Sequence, residues 1–173
     1  MAFVVASDFD RIPYNIPNVQ GNSSFPSFVT EFEEEILRKI LGHDLYLEFA
    51  AGLLIVPVAQ KWVDLRDGKL YNYNDKNYHW KGMKQLLKPY IYAMWMKETA
   101  AKNTLGGRAK PKSENADFIN PSYDICRAYN KFVAMVGREY YQEDTLYGFL
   151  TNNSDLYDTW RFTALEPMNT MNI

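Results

Sequence analysis

Apolar residues recur three or four positions apart along much of the chain, which is the spacing of one face of an α-helix. The first such stretch begins near Ser27 and stops at Gly42. A second runs from about His43 to Leu54, and Pro57 suits the first turn of a third helix. The first third of the chain therefore predicts a helical fold.

The strongest periodic pattern predicts a fourth helix over about residues 81–102. Pro89 lies inside it and is expected to kink it or to end its first segment. A fifth helix is expected to open at Pro121, with Asn120 as its cap, and to be weakened by Gly137. Residues 144–150 predict a final short turn.

Between the third and fourth helices the pattern changes from helical to alternating. Aromatic residues alternate with polar ones over 69–80, on either side of a polar turn at 74–77, and predict a β-hairpin. An isolated hairpin is marginally stable in water, so we expect it to lie on the helices or on a neighbouring subunit.

The two ends of the chain show little helical periodicity. Residues 1–24 contain two prolines, and their first apolar stretch, 2–6, suits a short strand. A self-packed N-terminus is an equally open alternative. Residues 153–173 are apolar in places without a clear period. The predicted fold is mainly α: a helical bundle of four to five helices over 25–152 with an inserted β-hairpin, and extended N- and C-terminal arms.

Aromatic residues form 16% of the chain, with 13 tyrosines among them. Tyrosine joins a large apolar ring to a hydroxyl group, so it suits surfaces that are wet before assembly and buried afterwards. A tyrosine-rich core in a single copy is the alternative, and composition does not separate the two. The candidate interface residues are Tyr71, Tyr73, Tyr78, Trp80, Trp95, Tyr140, Tyr141, Trp160 and Phe162.

The formal net charge of −2 argues against a general binder of nucleic acid or anionic membranes. One basic loop, with Arg108, Lys110 and Lys112, is the candidate DNA-facing segment. No stretch approaches the roughly 20 apolar residues needed to cross a bilayer, so we expect no membrane partner. The N-terminus lacks the basic region of a signal peptide, which favours synthesis and retention in the cytoplasm.

The sequence offers no convincing catalytic or metal-binding constellation. His43 and His79 have no partner at a metal-ligand spacing, and Cys126 lies in an amphipathic pattern typical of a buried structural thiol. The acidic cluster at 33–35 lacks the Glu-x-x-His spacing of a di-iron bundle and reads as the solvated start of a helix. We therefore expect no enzyme activity, no metal and no cofactor.

Three passages resemble one family of phage proteins: LGHDLYLEFAAGL, KWVDLRDGKLY and HWKGMKQLLKPYIYAMW. The family is the head–tail connector, or neck adaptor, proteins of tailed bacteriophages, nearest to those of crAss-like and related phages of Bacteroidetes. The resemblance covers about residues 28–130. It implies a helical protomer that forms a ring in the virion neck, commonly a dodecamer. In such a ring, extended segments dock on the portal protein and the next tail component, and DNA passes through the lumen.

A ring of identical copies brings one face of each subunit against a different face of its neighbour. The fourth helix with the hairpin is the predicted first face, and the end of the fifth helix is the predicted second. Two alternatives stay open. One is a tail-completion or tail-terminator protein of the same virion neck, and the other is a stand-alone small helical phage enzyme or regulator.

Overall fold

Helices and two small β-hairpins form the regular structure of the protein. The computed structural model describes residues 2–73, 75–99, 102–104, 107–109, 122–137 and 144–169, with the backbone alone for 102–104 and 107–109. These ranges hold the helices α1 (Phe25–Leu41), α2 (His43–Gly52), α3 (Gln60–Asp67), α4 (Met83–Thr99), α5 (Ser122–Val136) and α6 (Leu146–Asn152). The strands are β1 (Lys69–Tyr73), β2 (Lys76–Trp80), β3 (Lys102–Thr104) and β4 (Gly107–Ala109). The prediction of a mainly helical fold with an inserted hairpin is confirmed.

The first two helices lie close to their predicted bounds. Gly42 separates them with a φ of +78°, a conformation that glycine adopts at little cost. At the end of α2, a side chain on Gly52 would overlap the indole of Trp62, so a glycine is needed where α2 and α3 approach. The predicted start of α3 at Pro57 is wrong. Ala59 still has an extended backbone, with ψ of 140°, so the helix begins only at Gln60.

The first hairpin forms as predicted and is docked within the chain. Its strands are antiparallel, with Tyr71 opposite Tyr78. Trp80 is fully buried, and its indole N–H donates to the main-chain oxygen of Leu65, 2.9 Å away. The same ring stacks on Phe149 of α6, with 5.9 Å between the ring centroids. The hairpin is therefore fixed to helices on two sides.

Two expectations about the middle of the chain need correction. Of the two alternatives expected at Pro89, the end of a segment is wrong, because α4 runs through it from Met83 to Thr99, and the kink stays a prediction. The polar loop expected after α4 contains the antiparallel pair of β3 and β4. Such short strands are held by main-chain hydrogen bonds, and they need none of the apolar alternation that reveals a strand in a sequence.

The end of α5 and the start of α6 lie in close contact. Gly137, with a φ of +93°, ends α5 instead of weakening it. A Cβ at this position would lie 2.8 Å from the Thr145 side chain. Thr145 in turn caps α6, because its hydroxyl oxygen accepts from the main-chain N–H of Gly148 at 3.1 Å. The predicted turn over 144–150 is therefore a helix. The predicted caps Asn120 and Pro121 lie outside the described residues.

The described parts of both chain ends pack against the helices. Residues 6–9 and 19–21 form 3₁₀ turns, and the expected strand over 2–6 is not formed. Val4 and Phe9 are buried, which matches the self-packed alternative for the N-terminus. Near the C-terminus, the Tyr157 hydroxyl donates to the Lys61 main-chain oxygen at 2.6 Å, and the Trp160 indole donates to that of Ile40 at 3.1 Å.

Replacing Trp80 tests whether the hairpin is a structural part of the core. We expect Trp80→Ala to lower the free energy of unfolding by about 3–5 kcal/mol, because it removes a large buried ring and leaves a cavity. Urea unfolding followed by circular dichroism measures the change. Leu70→Ala is the matched control on the same hairpin, because Leu70 is 71% exposed, and it should cost less than about 0.5 kcal/mol. Equal effects of the two substitutions would contradict this assignment.

Candidate interaction surface

A buried carboxylate joins the N-terminus to α1. Glu33 is 1% exposed, although it belongs to the acidic cluster that was expected to be solvated. Its two carboxylate oxygens accept from the main-chain N–H groups of Phe3 and Val4, each at 2.8 Å. The expectation is therefore wrong for Glu33, and it holds for its exposed neighbours Glu34 and Glu35.

The sequence carried a signal for this burial. Glu33 occupies the same helical face as four apolar residues three or four positions apart, so its side chain must point toward the core. A charged residue at a core position needs partners that satisfy it. Those partners are main-chain groups outside any helix, which periodicity does not reveal. The apolar residues on this face are Val29, Ile36, Leu37 and Ile40.

The first residues of the chain, 2–9, are called the N-terminal segment below. They cross α1 and touch helices on either side of it. The ring of Phe3 stacks on Phe49 of α2, with centroids 5.8 Å apart and planes 8° from parallel. At the other end, the Asp8 carboxylate pairs with the ammonium of Lys84 on α4 at 2.8 Å. The segment is thus seated in a groove that three helices form.

A cavity of about 240 Å³ opens beside this segment, between α1 and α2. Phe3 forms one wall, and Leu37, Tyr46 and Leu53 are among the residues of the others. The lining is mainly apolar, as is typical of surfaces that receive an apolar side chain. Its edge includes Leu54, the first residue of an exposed loop.

Three consecutive apolar residues project from the loop between α2 and α3. Leu54, Ile55 and Val56 are 80%, 64% and 90% exposed, and we call them the apolar tip. Single exposed apolar residues are ordinary on a protein surface, whereas contiguous ones mark contact sites. Because Leu54 also lines the cavity, the tip and the cavity form one continuous apolar surface. Sequence reasoning did not select these residues, because an apolar run next to a helix looks like core.

The candidate interface residues fall into different environments. Tyr71, Trp80 and Trp95 are buried within the chain, and Trp95 packs edge-on against Phe25 of α1 at 4.9 Å. In this conformation they have almost no surface to offer another copy. Four others are half-buried, and their role in an interface stays a prediction: Tyr73, Tyr78, Trp160 and Phe162.

The half-buried candidates form two separate clusters. Tyr73 and Tyr78 meet on the hairpin, with centroids 6.5 Å apart. Trp160 and Phe162 both pack on Tyr147 of α6, at 5.7 Å and 4.9 Å. The side chains of the remaining candidates are not described by the structure. Tyr140, Tyr141, Lys110 and Lys112 lie outside the described residues, and Arg108 is described by its backbone in β4 alone.

The described residues show neither a metal-binding cluster nor a helix that could cross a membrane. Among those residues, no group of three or more histidine, cysteine, aspartate or glutamate side chains is arranged to hold a metal ion. No helix in the same part of the chain has both the length and the apolar character that a membrane crossing requires. Cys126 is buried, as its pattern predicted.

Comparison with known proteins leaves the function to be argued from the molecule itself. No protein-family model, curated protein or solved structure matches this chain significantly. The apolar tip, the adjoining cavity and the groove that holds the N-terminal segment are therefore the features from which a function is inferred.

The environment of Glu33 changes its acidity. Burial raises the pKa of Glu33 from 4.5 to about 7, and the two main-chain N–H donors only partly oppose this rise. The folded protein therefore binds the Glu33 proton more tightly than the unfolded chain does. This contribution to stability is fully present below pH 4.5 and is lost as the pH rises through about 7.

Glu33→Gln removes this titration. We expect the free energy of unfolding of wild-type protein to decrease, relative to that of Glu33→Gln, as the pH rises from 4.5 to about 7. Chemical unfolding across that range measures the difference. Glu35→Gln is the matched control, because Glu35 is exposed on the same helix. Parallel pH profiles for wild type and Glu33→Gln would show that Glu33 does not titrate as described.

Proposed function

We propose that this chain is a structural subunit of a phage virion neck. Its copies assemble into a head–tail connector ring between the portal and the tail, and DNA passes through the lumen. The observation that carries the proposal is the apolar tip: Leu54, Ile55 and Val56 stand exposed together beside an apolar cavity. Exposing such a surface is costly in a chain that acts alone, and it is useful in one that binds copies of itself.

The free energy gained by burying the apolar tip suits a closed ring. Burying one Leu, Ile or Val side chain contributes about 1.5–3 kcal/mol, so the tip supplies several kcal/mol per contact. Association costs on the order of 4–15 kcal/mol in lost freedom of motion, so a single contact of this kind is weak. In a closed ring each copy makes two such contacts, and the ring is favoured over an isolated pair.

The family resemblance supports the same proposal. It spans about residues 28–130, which include the apolar tip and both helices that line the cavity. A ring contact also needs a second, different face on each subunit. Leu70 on the hairpin is 71% exposed, and the hairpin is the part of the chain that we propose for this second face.

Assembly with the portal protein tests the proposal. Purified chain mixed with the portal of the same phage should give ring-shaped complexes in negative-stain images and a matching mass in mass photometry. A ring that forms on tail components but ignores the portal would instead favour a tail-completion or tail-terminator protein. A chain that stays monomeric with either partner would contradict an assembly role.

Polar substitution of the apolar tip should abolish assembly without unfolding the protein. We expect the triple variant Leu54→Ser, Ile55→Ser, Val56→Ser to lose the rings, while its free energy of unfolding changes by less than about 0.5 kcal/mol per site. Ile12→Ser is the matched control, because Ile12 is an isolated apolar residue that is 89% exposed. Undiminished ring formation by the triple variant would remove the tip from the interface.

A further inference from the structure

We propose that the N-terminal segment is exchanged between neighbouring copies in the assembly. The groove on each subunit then holds residues 2–9 of an adjacent subunit, and each subunit gives one segment and receives one. This inference rests on the proposed function, since it requires copies held side by side.

The groove captures the segment through its main chain. Both oxygens of Glu33 bind consecutive main-chain N–H groups, those of Phe3 and Val4, at 2.8 Å. In a β-strand two consecutive N–H groups point to opposite sides, whereas here one side chain satisfies both of them. The same two bonds form whether the segment belongs to the same copy or to another one.

Side chains of the segment add anchors on each side of this carboxylate. Phe3 stacks on Phe49, and the ring of Phe9 meets Phe25 edge-on, with centroids 5.4 Å apart. Val4 lies between them and is 1% exposed. These contacts join the segment to α1 and α2, and the 3₁₀ turn at 6–9 also contacts the turn at 19–21. A segment from a neighbour reproduces the contacts with α1 and α2 and gives up the contact between the two turns.

The stretch that follows the segment is suited to bridging two subunits. Residues 10–13 are all exposed, and the next buried anchor is Ile16. The six residues 10–15 span up to about 20 Å when extended, and this length sets the reach of the segment toward an adjoining subunit. Extension gives up two main-chain hydrogen bonds, from the N–H of Tyr14 to Arg11 and from the N–H of Ile16 to Phe9, and the second of these joins two buried residues.

The state of assembly decides which segment occupies the groove. In an isolated copy the chain's own segment is at an effective concentration of about millimolar, so it remains bound to its own groove. In a ring, the grooves of adjacent copies offer the segment the same contacts with Glu33, Phe49 and Phe25. Exchange then ties each copy to the next in one direction, which is the asymmetric contact that a ring requires.

Crosslinking between differently tagged copies tests the exchange directly. One chain carries Ala2→Cys and the other carries Thr30→Cys, since both positions line the same cavity of about 140 Å³ beside the segment. The two chains are unfolded, mixed, refolded together at assembly concentration and treated with a short bismaleimide. Each chain carries only one of the two introduced cysteines, so its own segment cannot be linked to its own groove. A covalent heterodimer therefore reports exchange.

Three controls separate exchange from simple proximity and from reaction at Cys126. Lys39→Cys replaces Thr30→Cys at an exposed site nine residues, about 14 Å, further along the same helix, and its yield should be at least severalfold lower. Wild-type chains show any reaction of the buried Cys126. Adding Glu33→Gln to the Thr30→Cys chain should lower the yield severalfold, whereas adding Glu35→Gln should leave it unchanged.

The outcomes distinguish this inference from the proposed function. Rings without heterodimer overturn the exchange and leave the connector role standing. Heterodimer without rings supports the exchange and contradicts the ring. Absence of both overturns both. A heterodimer yield that is equal for Thr30→Cys and Lys39→Cys, or that is insensitive to Glu33→Gln, also overturns the exchange.

Discussion

The hydrogen bonds between the Glu33 carboxylate and two main-chain N–H groups fix the N-terminal part of this protein. A buried carboxylate is costly unless its oxygens are satisfied, and buried N–H groups are costly for the same reason. Each group here reduces the penalty of the other. As a result Phe3 is held against Phe49, where it forms a wall of the cavity between α1 and α2.

The features that suggest a function are grouped around this arrangement. The cavity that Phe3 borders also reaches Leu54, the first residue of the apolar tip. A second cavity, of about 140 Å³, lies between the N-terminal segment and the first turns of α1. The proposed connector role rests on two of these features, the exposed apolar tip and the groove that binds main-chain groups of the N-terminal segment.

Periodicity was sufficient to predict much of the fold but little of this surface. The helices α1, α2 and α4 and the first hairpin follow directly from the spacing of apolar residues. Glu33 was missed because its partners are main-chain atoms about 30 residues away. The apolar tip was missed because exposure depends on where α3 begins. The packing of Tyr157 and Trp160 on main-chain oxygens of Lys61 and Ile40 likewise has no periodic signature.

Amide hydrogen exchange at the N-terminus, read by NMR, tests the role of Glu33 most directly. The account predicts that the amides of Phe3 and Val4 are protected in the wild-type protein. In Glu33→Gln that protection should fall by at least tenfold, with the amides of α4 and α5 unchanged. Rapid exchange of both amides in the wild type, or equal protection in the variant, would contradict the claim that this carboxylate holds the N-terminal segment.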